Sequence, residues 1–221
     1  MLDADKCSEV RRILDRYLIE IVEHFEFCPW AHSARVGDEL AVEIVAGAPP
    51  LDAWIAAATR GLARGQEVSI KASTPRKARV VIVVAPELAI DRTGLATIRD
   101  RVAVATGAGV ADFHPDATLD LTTPARLVPF LRRSPDPMLQ LVPLAQLASV
   151  RASPTPDRAQ QARILGGHAE PARDVSATLA AANHATASAR HAAIAAAFAA
   201  IAADRQAAYA RVGLATGNAS R

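Results

Sequence analysis

Apolar side chains near the start of the chain fall on one helical stripe. Val10, Ile13, Leu14, Tyr17, Leu18, Ile21, Val22 and Phe25 recur every three or four residues, which predicts an amphipathic helix over 6–27. Asp3 and Asp5 suit its N-terminal end. Pro29 disfavours helical geometry at the preceding residue and is itself favoured at a first helical position. The helix is therefore expected to stop near Phe27, a second short turn to open over PWAHSAR, and Cys28 to occupy its cap position.

Further on, the pattern alternates between strand and helix. LAVEIVA at 40–46 reads as a strand, and 51–63 as a helix with Leu51, Trp54, Ile55 and Ala58 on one face. ARVVIVV at 78–84 is β-branched and almost continuously apolar, which predicts a strand covered on both faces. Helix 91–106, strand 109–113, a short helix 124–131 opened by Pro124 and strand 138–142 follow. Such alternation predicts a layered α/β or α+β fold, a sheet of about four strands covered by helices. Strand direction is not readable from it.

Residues 151–175 are rich in Pro, Gly and polar side chains and read as a linker. Residues 176–211 then form an alanine-rich helix, with His184, His191, Ile194, Phe198 and Ile201 along one stripe. The expected organisation is a core domain over 1–150, a linker over 151–175 and a C-terminal helical extension over 176–221 with a frayed tail. No internal repeat is evident.

Composition narrows the classes. The 221 residues carry 25 Lys+Arg against 23 Asp+Glu, a net charge of +2, and about half are apolar, which is a globular balance. The basic residues are spread along the chain, so no nucleic-acid partner is expected. No apolar run of ~18 residues stands out, and MLDADKCSEVRR lacks the apolar stretch of a signal peptide, so neither a membrane span nor export is expected and the location is expected to be cytoplasmic. Two cysteines, Cys7 and Cys28, exclude a disulfide scaffold and a four-cysteine zinc site. Arg far outnumbers Lys, as GC-rich coding sequence produces, so single surface arginines carry little weight.

Three segments carry candidate chemistry. Phe27-Cys28-Pro29-Trp30 would set a thiol at a helix start, where the dipole favours the thiolate, or bury it as a small hydrophobe between aromatics. Asp112-Phe113-His114-Pro115-Asp116 ends a predicted strand, where His114 could act as base or metal ligand or simply face water. Arg132-Arg133-Ser134-Pro135-Asp136-Pro137 is a proline-stiffened turn in which Arg133 and Ser134 could hold an anionic group, or a solvated connection. Other histidine pairs cannot share an ion. On straight helices His24 and His32 lie about 12 Å apart along the axis, and His184 and His191 about 10 Å. Dinucleotide, P-loop, zinc-protease and serine-hydrolase signatures are absent.

Taken together, FCPWA at 27–31, DFHPD at 112–116 and RRSPDPMLQLV at 132–142 resemble a small bacterial family known as domain of unknown function 1415. The resemblance covers about residues 6–150, and more weakly DRQAAYARVGL near the C-terminus. Arg132 stands where that family has Asn, Gln140 where it has His, and roughly 151–200 reads as an insertion. The resemblance implies no activity. It implies that Cys28, His114 and Arg133 converge.

Three functional readings follow. The first is a small-molecule enzyme with Cys28 as nucleophile, His114 as its base, and Arg133, Ser134 and Trp30 contacting an anionic substrate. The second makes Cys28 and His114, with Asp116 or with His32 or His168, ligands of a transition metal in a redox enzyme, iron foremost with zinc or copper also fitting; a thiolate–haem version would use Cys28-Pro29 as the ligand loop. The third is a binding or assembly protein that forms a homo-oligomer through the C-terminal helix, burying Ile194, Phe198, Ile201 and Tyr209 against a second copy or a partner.

Overall fold

The computed structural model describes residues 2–71, 80–145 and 175–215. Helix α1 (Ala4–Tyr17) starts where the Asp3 carboxylate accepts the Lys6 N–H at 2.9 Å. It does not run straight to Phe27. Over Leu18–Glu23 it widens into a π-helical segment, where hydrogen bonds reach back five residues: His24 N–H donates to the Ile19 carbonyl at 3.0 Å, and beyond the segment Phe27 N–H donates to Val22 at 2.9 Å. The altered winding turns both Phe25 and Phe27 inward, with rings stacked 5.9 Å apart.

The remaining elements are α2 (Ala31–Val36), β1 (Leu40–Ile44), α3 (Leu51–Lys71), β2 (Val80–Val84), α4 (Arg92–Thr106), β3 (Ala108–Phe113), α5 (Pro124–Leu131), β4 (Met138–Pro143) and α6 (Val175–Arg211). Asp91 caps α4 and Thr123 caps α5 through their side chains. The cap residue of α2 is Trp30, not Cys28 as expected, because Pro29 and Trp30 form a turn before the helix opens.

The sheet order is β1-β2-β4-β3. β1 and β2 are parallel, joined across α3, while β4 runs antiparallel to both its neighbours. Of the two expected classes the fold is therefore α+β, a four-stranded mixed sheet with helices on both faces. Val81, Val83, Leu139 and Leu141 pack on α3 and α4, while Ile82, Val84 and Met138 pack toward α1, α5 and α6. The continuous apolar run of β2 is explained by this double coverage. At Gly61 helix α3 comes so near the sheet that a Cβ would lie 2.4 Å from Val81 Cγ1.

Helix α6 departs most from expectation. Ile194, Phe198, Ile201, Ala208 and Tyr209 are buried in the same core as Val10, Ile13, Tyr17 and Phe130. The expected core domain and C-terminal extension thus share one hydrophobic core. The face expected to meet a second copy is already covered by α1 and α5. Polar ties reinforce it: Asp204 accepts from Arg12 at 2.7 Å and Arg16 at 2.6 Å, and Arg205 and Tyr209 both reach Asp136. The expectation of no span-length apolar stretch also needs correction. Ala177–Arg211 is long and apolar enough, by length and composition, to cross a membrane, with mean hydropathy 1.2 over its most apolar window. Alanine produces that value residue by residue, while the larger apolar side chains line the stripe facing the core. The expected linker and His168 lie outside the described residues, apart from Val175, as do residues 78–79 and the tail beyond Ala215.

Candidate functional site

The turn between the π-helical segment and α2 presents Cys28 half-buried, its carbonyl accepting the Ala31 N–H at 3.2 Å. Its side chain lines an apolar cavity of about 280 Å³. Tyr17, Leu18, Val22 and Phe27 form one wall, Trp30, Ala31 and Ala34 another. The floor is the sheet face presented by Leu40, Val80, Ile82, Phe113, Met138 and Gln140, and the end of α5 closes the side. Arg132 and Gln140 are the charged and amide groups in this lining. The alternation of β4 sets Met138 and Gln140 on one face, so the position where the resembled family has His puts an amide into the cavity.

Electrostatics inside the cavity oppose thiolate formation. Burial pushes the Cys28 thiol above its ordinary value and outweighs the Trp30 and Ala31 backbone N–H groups, which favour the thiolate. Burial also raises the Tyr17 hydroxyl, with the neighbouring Cys28 adding to the shift. The positive end of so short a helix does not compensate for lost hydration.

His114 lies elsewhere. It is buried beyond the end of β3, where its backbone N–H donates to the Arg132 carbonyl at 2.9 Å. Its Nδ1 accepts the Asp116 N–H at 3.1 Å and its Nε2 sits 2.8 Å from the Ile90 carbonyl. These two contacts fit an imidazole carrying its proton on Nε2, with both nitrogens committed to backbone. The Asp116 side chain is exposed, with its carboxylate 4.0 Å from Nδ1. His114 lines a second, more open cavity of about 430 Å³ between α4, α5 and β3, with Arg92, Arg99, Asp112 and Arg132. Cys28 is not in that lining, and His114 is not in the first. The expected nucleophile and base therefore line different cavities, which meet at Val128 and Arg132, the two residues common to both.

Arg133 and Ser134 hold the fold. The Arg133 guanidinium stacks 5.0 Å from the Phe198 ring centre on α6. The buried Ser134 hydroxyl donates to the Asp136 carbonyl at 2.6 Å and closes the turn. Asp136, passed over in the sequence, is 3% exposed and binds Arg205 Nε at 2.7 Å and the Tyr209 hydroxyl at 2.6 Å. Burial pushes this carboxyl above its ordinary value, opposed by Arg205 and then Tyr209. The turn anchors α6.

The three-residue iron set expected at Cys28, His114 and Asp116 does not assemble, since Cys28 and His114 line different cavities. Among the described residues no three His, Cys, Asp or Glu side chains converge in a metal-holding group. His32 is exposed and 2.9 Å from Glu23, and His24 Nε2 lies 3.0 Å from Arg190 on α6. Sequence reasoning gave no functional weight to Tyr17 or Arg99. Asp112 was quoted with the His114 segment, and Gln140 and Arg132 stood out as departures from the resembled motif.

Comparison with known proteins finds no family model, no curated protein and no solved structure that matches the chain.

Proposed function

We propose that this protein binds a small, predominantly apolar molecule in the cavity beside Cys28. The observation that carries this reading is the cavity itself: about 280 Å³, walled mostly by aliphatic and aromatic side chains, with Arg132, Gln140, the Cys28 thiol and the polar ends of Tyr17 and Trp30 as the polar or polarisable groups of its lining residues. Protein interiors rarely leave such space unfilled. An apolar concavity with a few convergent polar groups is the usual composition of a small-molecule site, and the volume sits near the lower end of the ~300–1,000 Å³ such sites occupy. Binding is favoured over thiolate catalysis because Cys28 is held protonated by burial and His114 lines another cavity with both ring nitrogens engaged. In this reading Cys28 contributes a soft wall rather than a nucleophile. A cytoplasmic small molecule is the natural ligand on the sequence expectations. The resemblance to domain of unknown function 1415 adds no activity to it.

The test is calorimetric titration with 1-octanol as an apolar probe, alongside alkylation of Cys28 by iodoacetamide. The expected result is saturable binding of one octanol per chain, slower alkylation of Cys28 when octanol is bound, and loss of both effects in Ala34→Phe, which fills the cavity. Absence of saturable binding up to the solubility limit, or binding indifferent to Ala34→Phe in a variant with unchanged melting, overturns the reading.

A further inference from the structure

The second cavity differs in chemistry from the first. Arg92, Arg99 and Arg132 border it against a single carboxylate, Asp112, so its rim is net positive. Asp112 is committed to Arg99 at 2.6 Å, whereas Arg132 approaches it only to 3.7 Å, beyond hydrogen-bond distance. Arg92 is exposed and has no ion pair among the described residues. His114 adds no free polar atom, since the Asp116 N–H and the Ile90 carbonyl occupy its ring nitrogens. What the cavity offers a ligand is therefore chiefly guanidinium, a planar fork of donors suited to carboxylate and phosphate, with the Thr93 hydroxyl beside it.

The position of Arg132 links this cavity to the apolar one. Arginine carries a charged head on an apolar stem, so one residue can border an oily wall and a polar chamber at once. Arg132 and Val128 do so, and the two cavities adjoin there. We infer that the ligand of the apolar cavity is an amphiphile with a terminal anionic group, a carboxylate or a phosphate monoester, whose head is received by Arg132 and Arg92 in the second cavity. This inference rests on the binding reading above and adds to it the charge and polarity of the ligand.

The experiment compares three probes of equal chain length, octanoate, 1-octanol and octylamine, by calorimetry at low and high salt. Octanoate is expected to bind about tenfold more tightly than octanol, and octylamine more weakly than either. The advantage of octanoate is expected to shrink with added sodium chloride, because the second cavity is open to solvent, while octanol affinity stays constant. Arg92→Gln, at an exposed position outside the apolar lining, is expected to weaken octanoate about threefold and leave octanol unchanged. Octyl phosphate in place of octanoate distinguishes the two head groups. Equal affinities of octanoate and octanol, or an octanoate advantage untouched by both salt and Arg92→Gln, overturn the inference while the apolar cavity stands. Failure of octanol and octanoate alike overturns both.

Discussion

Arg205→Met is expected to destabilise the whole fold, although it lies in the segment that reads from sequence as an extension. Arg205 donates to Asp136 through two nitrogens, at 2.7 and 2.6 Å, and to the Pro86 carbonyl at 3.0 Å. Methionine keeps most of the stem and removes all three contacts. Asp136 would remain 3% exposed with only the Tyr209 hydroxyl as side-chain partner. Removing one member of a buried ion pair costs about 3–5 kcal/mol, because the other is left desolvated and uncompensated. The carboxyl has an escape: it can take up a proton. Burial already raises its pKa above the ordinary value, and loss of Arg205 raises it further. An acid whose folded pKa exceeds its unfolded one loses stability as pH rises above the unfolded value near 4, by about 1.4 kcal/mol per pH unit until the folded pKa is passed. The variant should therefore be close to wild type near pH 4 and furthest from it at neutral pH. Adding Asp136→Asn, which removes the buried charge, should recover part of the loss at neutral pH. Urea denaturation followed by far-UV circular dichroism measures these differences as shifts in midpoint at constant slope. A loss under about 1 kcal/mol at neutral pH, independent of pH, would refute both the buried pair and the inclusion of α6 in the core.

Two further outcomes follow from packing and charge. Gly61→Ala gains about 1 kcal/mol of helix propensity. It also drives a methyl to 2.4 Å from Val81 Cγ1, and overpacking of about 1–3 kcal/mol should win, with Val81→Ala relieving the loss in a double-mutant cycle read by thermal melting. Asp204 is held below the ordinary carboxylate range by hydrogen bonds from Arg12 and Arg16, so its contribution is complete above about pH 4 and fades as pH falls further. Because the three side chains remain partly exposed, Asp204→Asn should cost only about 1 kcal/mol at neutral pH and nothing at strongly acid pH, measured by denaturation at each pH.

Where local pattern decides structure, the sequence was readable. The stripe of Val10, Ile13, Leu14, Tyr17 and Ile21 is buried as its spacing requires, and strands β2, β3 and β4 fall within a residue or two of the apolar runs that announced them. The break of α1 into a π-helical turn was not readable, since Leu18–Glu23 has no Pro or Gly to mark it. Its cause is tertiary: the widened turn lets both Phe25 and Phe27 reach the core. The site residues show the same division. Cys28 and His114 stood out by residue type, but nothing local shows which cavity each borders. Arg132 and Gln140 were noticed only as departures from a motif, because a cavity lining is assembled from elements far apart in the chain.

The sequence by itself determined where most elements lie, the polar start of α1 at Asp3 and the double burial of β2, since these depend on spacing and on side chains within a turn of one another. Tertiary structure alone decided that β4 inserts between β2 and β3, that α6 completes the core, and that Cys28 and His114 face separate cavities. It did so because pairing partners, burial and the desolvation that raises the Cys28 and Asp136 pKa values depend on which distant segments exclude water together.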